Sequence, residues 1–321
     1  MKPRRKKKRL WLIIGLAVLL VLVGFFLAIA PMMAPQPYRM AFLDDLPGDL
    51  TPSVTVTVDG SQMQDKHSLE SYSFSFSVNS MGFRGLEVDL EKNPRVIMTI
   101  GDGHGFGTSV DGEHTACDEL NRLFAGPLQG HGFSCVNASL PGMNLVDEYD
   151  YLKEKGHRLK PEWFVIFMAE DDVWEMDRPV KMRELLRCVV RNRRCALKVM
   201  YYRTFHGIFR MRDEVLDGNK PAAVEYRRLM KQYLEQFDKL TEYAAGWGGK
   251  VLILTEQFEF EWLRKDLVAR GVPLIVMRDV LSDQEITYAV DGHWDAAMHS
   301  RIANLVAQFL KGREEKGEGT L

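Results

Sequence analysis

The first nine residues contain no acid, and residues 10–30 contain no charge of either sign. Lys2, Arg4, Arg5, Lys6, Lys7, Lys8 and Arg9 give the head seven cations; without them the net charge of −2 becomes −9. An acidic body behind a basic leader argues against nucleic acid as a partner. The uncharged stretch, LWLIIGLAVLLVLVGFFLAIA, is long enough to cross a hydrocarbon core of about 30 Å. The positive-inside rule keeps the head cytoplasmic and places everything after residue 30 outside. The expectation is a single-pass protein of the plasma (inner) membrane, with membrane lipid as the partner of its helix and a periplasmic main domain. A cleaved signal peptide ending at Ala28-Ile29-Ala30 is the alternative.

Cysteine is scarce, and four of them allow three connectivities. Cys188 and Cys195 flank VVRNRR and can close a small loop; Cys117 and Cys135 are the other natural pair, with buried free thiols as its alternative. No internal repeat is present, which excludes a solenoid. No spacing matches a known metal motif, so neither metal nor cofactor is predicted.

What is present suffices for a full core: 321 residues, 46% of them hydrophobic. Residues 31–50 are proline-rich and read as a linker. SVTVTVDG and SYSFSFSV alternate strictly, which predicts two strands of a small β element. From Arg95 onward, short apolar runs (RVIMTI, FSCVNA, WFVIFMA, KVLILT, PLIVM) alternate with helical stretches at 113–124, 145–155, 221–245 and from about 296. Continuous runs indicate strands buried on both faces. The fold class is therefore α/β, a three-layer α/β/α sandwich on a parallel five-stranded sheet. The expected division is a basic head (1–9), an anchor (10–30), a linker with the β element (31–90), a main domain (91–312) and a disordered tail (313–321).

Ligands of such sheets bind beyond the carboxyl ends of the strands. The first run is followed there by GDGHGFG, the second by SLPGMN, the third by EDDVWE, and the fifth by DGHWD. Every oddly polar or glycine-rich cluster falls at one rim.

These blocks resemble the SGNH (GDSL-type) hydrolases over roughly residues 95–310, with a family-like lead-in NSMGFRG at 79–85. Gly101-Asp102-Gly103 stands where the family has Gly-Asp-Ser. Gly142 matches the glycine whose N–H helps form the oxyanion hole. Asp171-Asp172 stands where the family has Asn-Asp. Asp291-Gly292-His293-Trp294 resembles the final block, which implies His293 as general base and Asp291 as its orienting acid. The resemblance also implies that Asp102 is structural, bonded within its own turn.

Two positions depart from that pattern. Gly103 has no hydroxyl, and loss of such a nucleophile costs on the order of 10⁶ in kcat, or about 8 kcal/mol. Asp171, once ionised, only accepts hydrogen bonds, and loss of one oxyanion donor costs about 10² to 10³. Ordinary ester hydrolysis is expected to be lost.

Substitutes for the missing group are Ser109, beside the first helix, Ser139 in the second rim loop, and His104; Trp294 is expected in the pocket with Asp102 and Asp172. A carboxylate rim of Asp102, Glu170, Asp171, Asp172 and Asp291 with both histidines offers a metal-assisted alternative. The insertion at about 175–220, rich in arginine and aromatics, reads as a cap facing anionic lipid or polymer, or as an ordinary helical hairpin. The functional expectation is a membrane-anchored, degenerate ester hydrolase that binds an acylated glycan or lipid, or acts in assembly, at the cell envelope. The alternatives are an active esterase or acyltransferase with a displaced nucleophile, and a metal-assisted hydrolase.

Overall fold

A computed structural model describes residues 50, 53, 55–58, 74–169, 171–177, 222–258, 261–289 and 291–316, all within one compact body. The predicted anchor, most of the insertion, Glu170, Cys188 and Cys195 lie outside these residues. No helix among the described residues is long and apolar enough to cross a membrane.

The alternating stretches form β1 (Thr55–Val58) and β2 (Phe74–Ser77), an antiparallel pair. The five apolar runs all become strands: β3 (Arg95–Gly101), β4 (Phe133–Asn137), β5 (Trp163–Met168), β6 (Lys250–Thr255) and β7 (Leu274–Val276). They pair in parallel in the order β4-β3-β5-β6-β7. All six residues of β5 are buried, as expected for a strand covered on both faces.

Between the strands lie α1 (Gly103–Phe106), α2 (Ala116–Ala125), α3 (Leu145–Tyr151), α4 (Asp171–Trp174), α5 (Ala222–Ala245), α6 (Glu261–Ala269), α7 (Met277–Val280) and α8 (Ala296–Glu315). Strand side chains alternate between two faces. Ile97, Val165, Phe167, Leu252 and Leu254 join one core cluster with Leu120 and Phe124 of α2 and Ile302, Val306 and Leu310 of α8. On the other face α3 packs against α5. Helix α2 opens with a capping box, in which Thr115 and Asp118 satisfy each other's backbone N–H groups.

The sheet fits the expectation, but residues 313–315, expected in a disordered tail, are helical. Residues 313–315 are the last turn of α8, because the Glu314 carboxylate is held by both Arg95 and His131. Polar composition suggested fraying; a buried-edge ion cluster overrides it.

In this strand order the chain reverses direction across the sheet between β3 and β5, the place where open α/β sheets bind ligands. The ends of β3 and β5 lie side by side there, Gly101 paired with Phe167.

Candidate active site

The loop after β3 is built around its own turn. Asp102 caps α1, its Oδ1 accepting from the His104 N–H at 2.9 Å, so this carboxylate is spent on the backbone. Gly107, at φ 83°, ends the helix in the left-handed region that favours glycine. The chain then folds back, and the Thr108 N–H donates to the Gly103 carbonyl at 2.9 Å.

A buried arginine holds this turn from behind. Arg84, in the lead-in segment, donates to the carbonyls of Gly107 (2.8 Å) and Val110 (2.6 Å) and lies over the rings of Phe76 and Phe106. Burial lowers its pKa to about 9, against the opposing pull of Asp118 and Asp111. The β1–β2 pair is tied to the same loop: Ser75 N–H and Oγ donate to Asp111, and Gly112 N–H returns a bond to Ser75.

The second half of the site precedes α8. His293 Nδ1 lies 2.8 Å from Asp291 Oδ2, and the His293 N–H donates to Asp291 Oδ1 at 3.2 Å. Burial favours the neutral acid, but the hydrogen bond and charge of His293, helped by the Ser109 hydroxyl, hold Asp291 down at about 2. An ionised carboxylate on Nδ1 selects the tautomer whose Nε2 is basic. The imidazole is 29% exposed, the carboxylate 7%.

Nε2 points at Gly103. A Cβ added to Gly103 would overlap Nε2, lie 2.9 Å from Cδ2 of the same ring, and stand 3.0 Å from Thr108 Oγ1. The His293 ring therefore occupies the volume that a side chain at position 103 would fill. The Thr108 hydroxyl, on a residue only 5% exposed, has no hydrogen-bond partner among the described residues.

The remaining predicted residues fall around this centre in different roles. His104 packs its ring 4.9 Å from His293 and 4.6 Å from Trp294. Trp294 is 2% exposed and stacks edge-on with Phe167 and His299, so it belongs to the core beneath the site and not to a pocket wall. Ser139 is 1% exposed, its Oγ pressed against Gly105 and without a hydrogen-bond partner, hence without a bond to His293. Gly142 lies at φ 80° in the turn after β4, whose Leu140 N–H donates to the Gly101 carbonyl. Asp172 is buried, its Oδ2 accepting from the Ala169 N–H at 2.9 Å. Asp171 begins α4; its side chain is outside the described set. Among the described residues no group of three His, Cys, Asp or Glu side chains is arranged to hold a metal ion.

Thr108 and the supporting role of Arg84 escape a reading of the sequence. Arg84 stands in the NSMGFRG lead-in, and its place just after the aromatic-rich alternating stretch was the one available signal. Thr108 carries none.

No protein-family model matches the sequence, and no curated protein matches it significantly. Solved structures do resemble it. A crystal structure of TesA is similar over 68% of this chain and 99% of its own, at 16% identity and a TM-score of 0.44. A lipase/acylhydrolase from Enterococcus faecalis is similar over 68% and 96%, at 14% identity and a TM-score of 0.43. An acetylxylan esterase from Geobacillus stearothermophilus is similar over 67% and 93%, at 13% identity and a TM-score of 0.40. The chain is thus distantly similar in structure to GDSL-type lipolytic hydrolases and acetylxylan esterases, a likeness of fold that says nothing of its chemistry.

Proposed function

We propose that this domain is a degenerate ester-hydrolase scaffold that binds an acylated glycan or lipid and forms no acyl-enzyme. In this reading the N-terminal helix anchors it to the plasma membrane with the domain outside. The observation that carries the proposal is the overlap between His293 Nε2 and the Cβ position of Gly103. The acid and the base remain paired, while the volume of the nucleophile has been taken over by the base. Ser139, buried against Gly105, is poorly placed to stand in. The Cys117–Cys135 disulfide, with Cα atoms 5.4 Å apart, supports an oxidising compartment and hence an extracytoplasmic domain.

The test is covalent labelling by a fluorophosphonate, which needs an activated hydroxyl. The natural chain is expected to stay unlabelled. The double variant Gly103→Ser, Asp171→Asn restores both missing groups and is expected to label, provided the ring retreats to admit the new Cβ. Labelling of the natural chain would end the proposal.

A further inference from the structure

The site has kept a base and lost the group that the base would activate, along with the amide donor replaced by Asp171. His293 is oriented by an ionised Asp291, is partly open to solvent, and places Nε2 at the nucleophile's position. Beside that position Thr108 Oγ1 is buried and has no hydrogen-bond partner. A buried hydroxyl without a partner costs about 1 to 3 kcal/mol unless some visiting group satisfies it. Nothing in the fold of the turn requires the hydroxyl, since valine has the same shape as threonine.

We propose that an external hydroxyl, from water or from an alcohol group of a ligand, takes over the attack that a protein serine would make. The incoming oxygen displaces the His293 ring from the volume beside Gly103, is held by the Thr108 Oγ1 so uncovered, and gives its proton to His293 Nε2. Its lone pair forms the new bond to the acyl carbon of an ester. The tetrahedral intermediate then expels the ester's own alkoxide, which takes the proton back from His293. The acyl group moves in one displacement, and no bond to the protein forms. General-base assistance of this kind is worth about 10² to 10⁴ in rate, far less than a full nucleophilic machinery. The pocket is then a slow, direct acyl transferase or hydrolase. The inference rests on the reading that the pocket receives an acyl ester, and goes beyond it by assigning a reaction.

The experiment uses the full chain in detergent micelles with p-nitrophenyl acetate and added methanol. If the attack is direct, p-nitrophenol release rises with methanol concentration and methyl acetate accumulates; the acetate formed without methanol measures the water route. Intact mass shows no acetylated protein at any time. His293→Gln is expected to lower the rate about 10²-fold or more. Thr108→Val is expected to weaken the methanol dependence about fivefold while the pH profile keeps its shape. An acetyl adduct on the chain overturns the inference in favour of a protein nucleophile. Release that is unchanged in His293→Gln overturns it as well. Binding of an O-acetylated oligosaccharide, followed by calorimetry on the same sample, separates the two readings. Binding without His293-dependent turnover removes the inference and leaves the scaffold; an acetyl adduct removes both.

Discussion

Two buried ionisable side chains make this protein's stability depend on pH in opposite directions. His299 is fully buried, and its Nδ1 accepts the N–H of Ala116 at 3.0 Å, which requires the neutral ring. Burial, followed by the charges of Arg84, His104 and His293, lowers its pKa from 6.5 to about 3. The unfolded chain therefore binds a proton that the folded one refuses, and stability falls as pH drops from about 6.5 towards 3, by an amount on the order of 4 kcal/mol. His299→Asn keeps an acceptor for Ala116 and removes the titration. Its urea midpoint is expected to vary less between pH 6.5 and pH 4 than that of the natural chain. Glu148 works the other way. Both of its oxygens are buried without hydrogen-bond partners, and burial, Asp102 and Asp147 raise its pKa well above 4.5. The folded state keeps a proton that the unfolded state releases, so stability declines as pH rises above 4.5. Glu148→Gln is expected to abolish that decline and to raise the melting temperature at pH 8. A variant that melts lower at pH 8 than the natural chain would show the carboxyl to be satisfied in some other way.

Among the elements, the turn from Gly107 to Val110 is the one on which the site depends, and it is not self-supporting. Ser109 stands at φ 67°, a conformation that costs a non-glycine residue about 1 kcal/mol or more. Arg84 supplies the compensation by bonding the carbonyls on either side of it. Arg84→Met fills part of the volume but takes the guanidinium donors from both carbonyls, leaving Gly107's with only the Val110 N–H. A loss of about 3 kcal/mol is expected. Hydrogen exchange is expected to quicken first in residues 107–112, before the sheet responds. Uniform quickening across β3 and β5 would instead mark Arg84 as a general core residue. The β1–β2 pair shares this duty through Ser75 and Asp111, which explains why a small sheet precedes the main one.

For the molecule as a whole, two constraints hold the layers together at separate places. The Cys117–Cys135 disulfide joins the start of α2 to β4, closing a loop of 18 residues. Arg95, Glu162, Glu314 and His131 tie the end of α8 to the start of β3 and to the loop before β4. Reduction of the disulfide removes a constraint on the unfolded chain worth about 3 kcal/mol for a loop of this size. The melting temperature is expected to fall by several degrees in reductant, with the Cys117→Ala, Cys135→Ala variant insensitive to it. An unchanged melting temperature in reductant would mean that packing alone holds α2 against β4.

The five strands were legible because each is a continuous apolar run, and burial on both faces leaves that local mark. The rim blocks were legible for a related reason: glycine, aspartate and histidine interrupt the pattern where each strand ends. Asp172 and Trp294 sit in those blocks yet serve a turn and the core. Residue type cannot distinguish a side chain turned to its own backbone from one turned to a ligand. Glu314 was hidden because its partners, Arg95 and His131, are remote in the chain.

Amino-acid order alone thus established the layered α/β architecture, the rim at which polar clusters gather, and the absence of a hydroxyl at Gly103. Only the folded molecule decided that His293 Nε2 lies where a side chain at Gly103 would stand, that Thr108 Oγ1 lies beside it with no partner among the described residues, and that Arg84 secures the turn between them. Periodicity is written in neighbouring residues, whereas distances between side chains far apart in the chain are set by how all the layers pack.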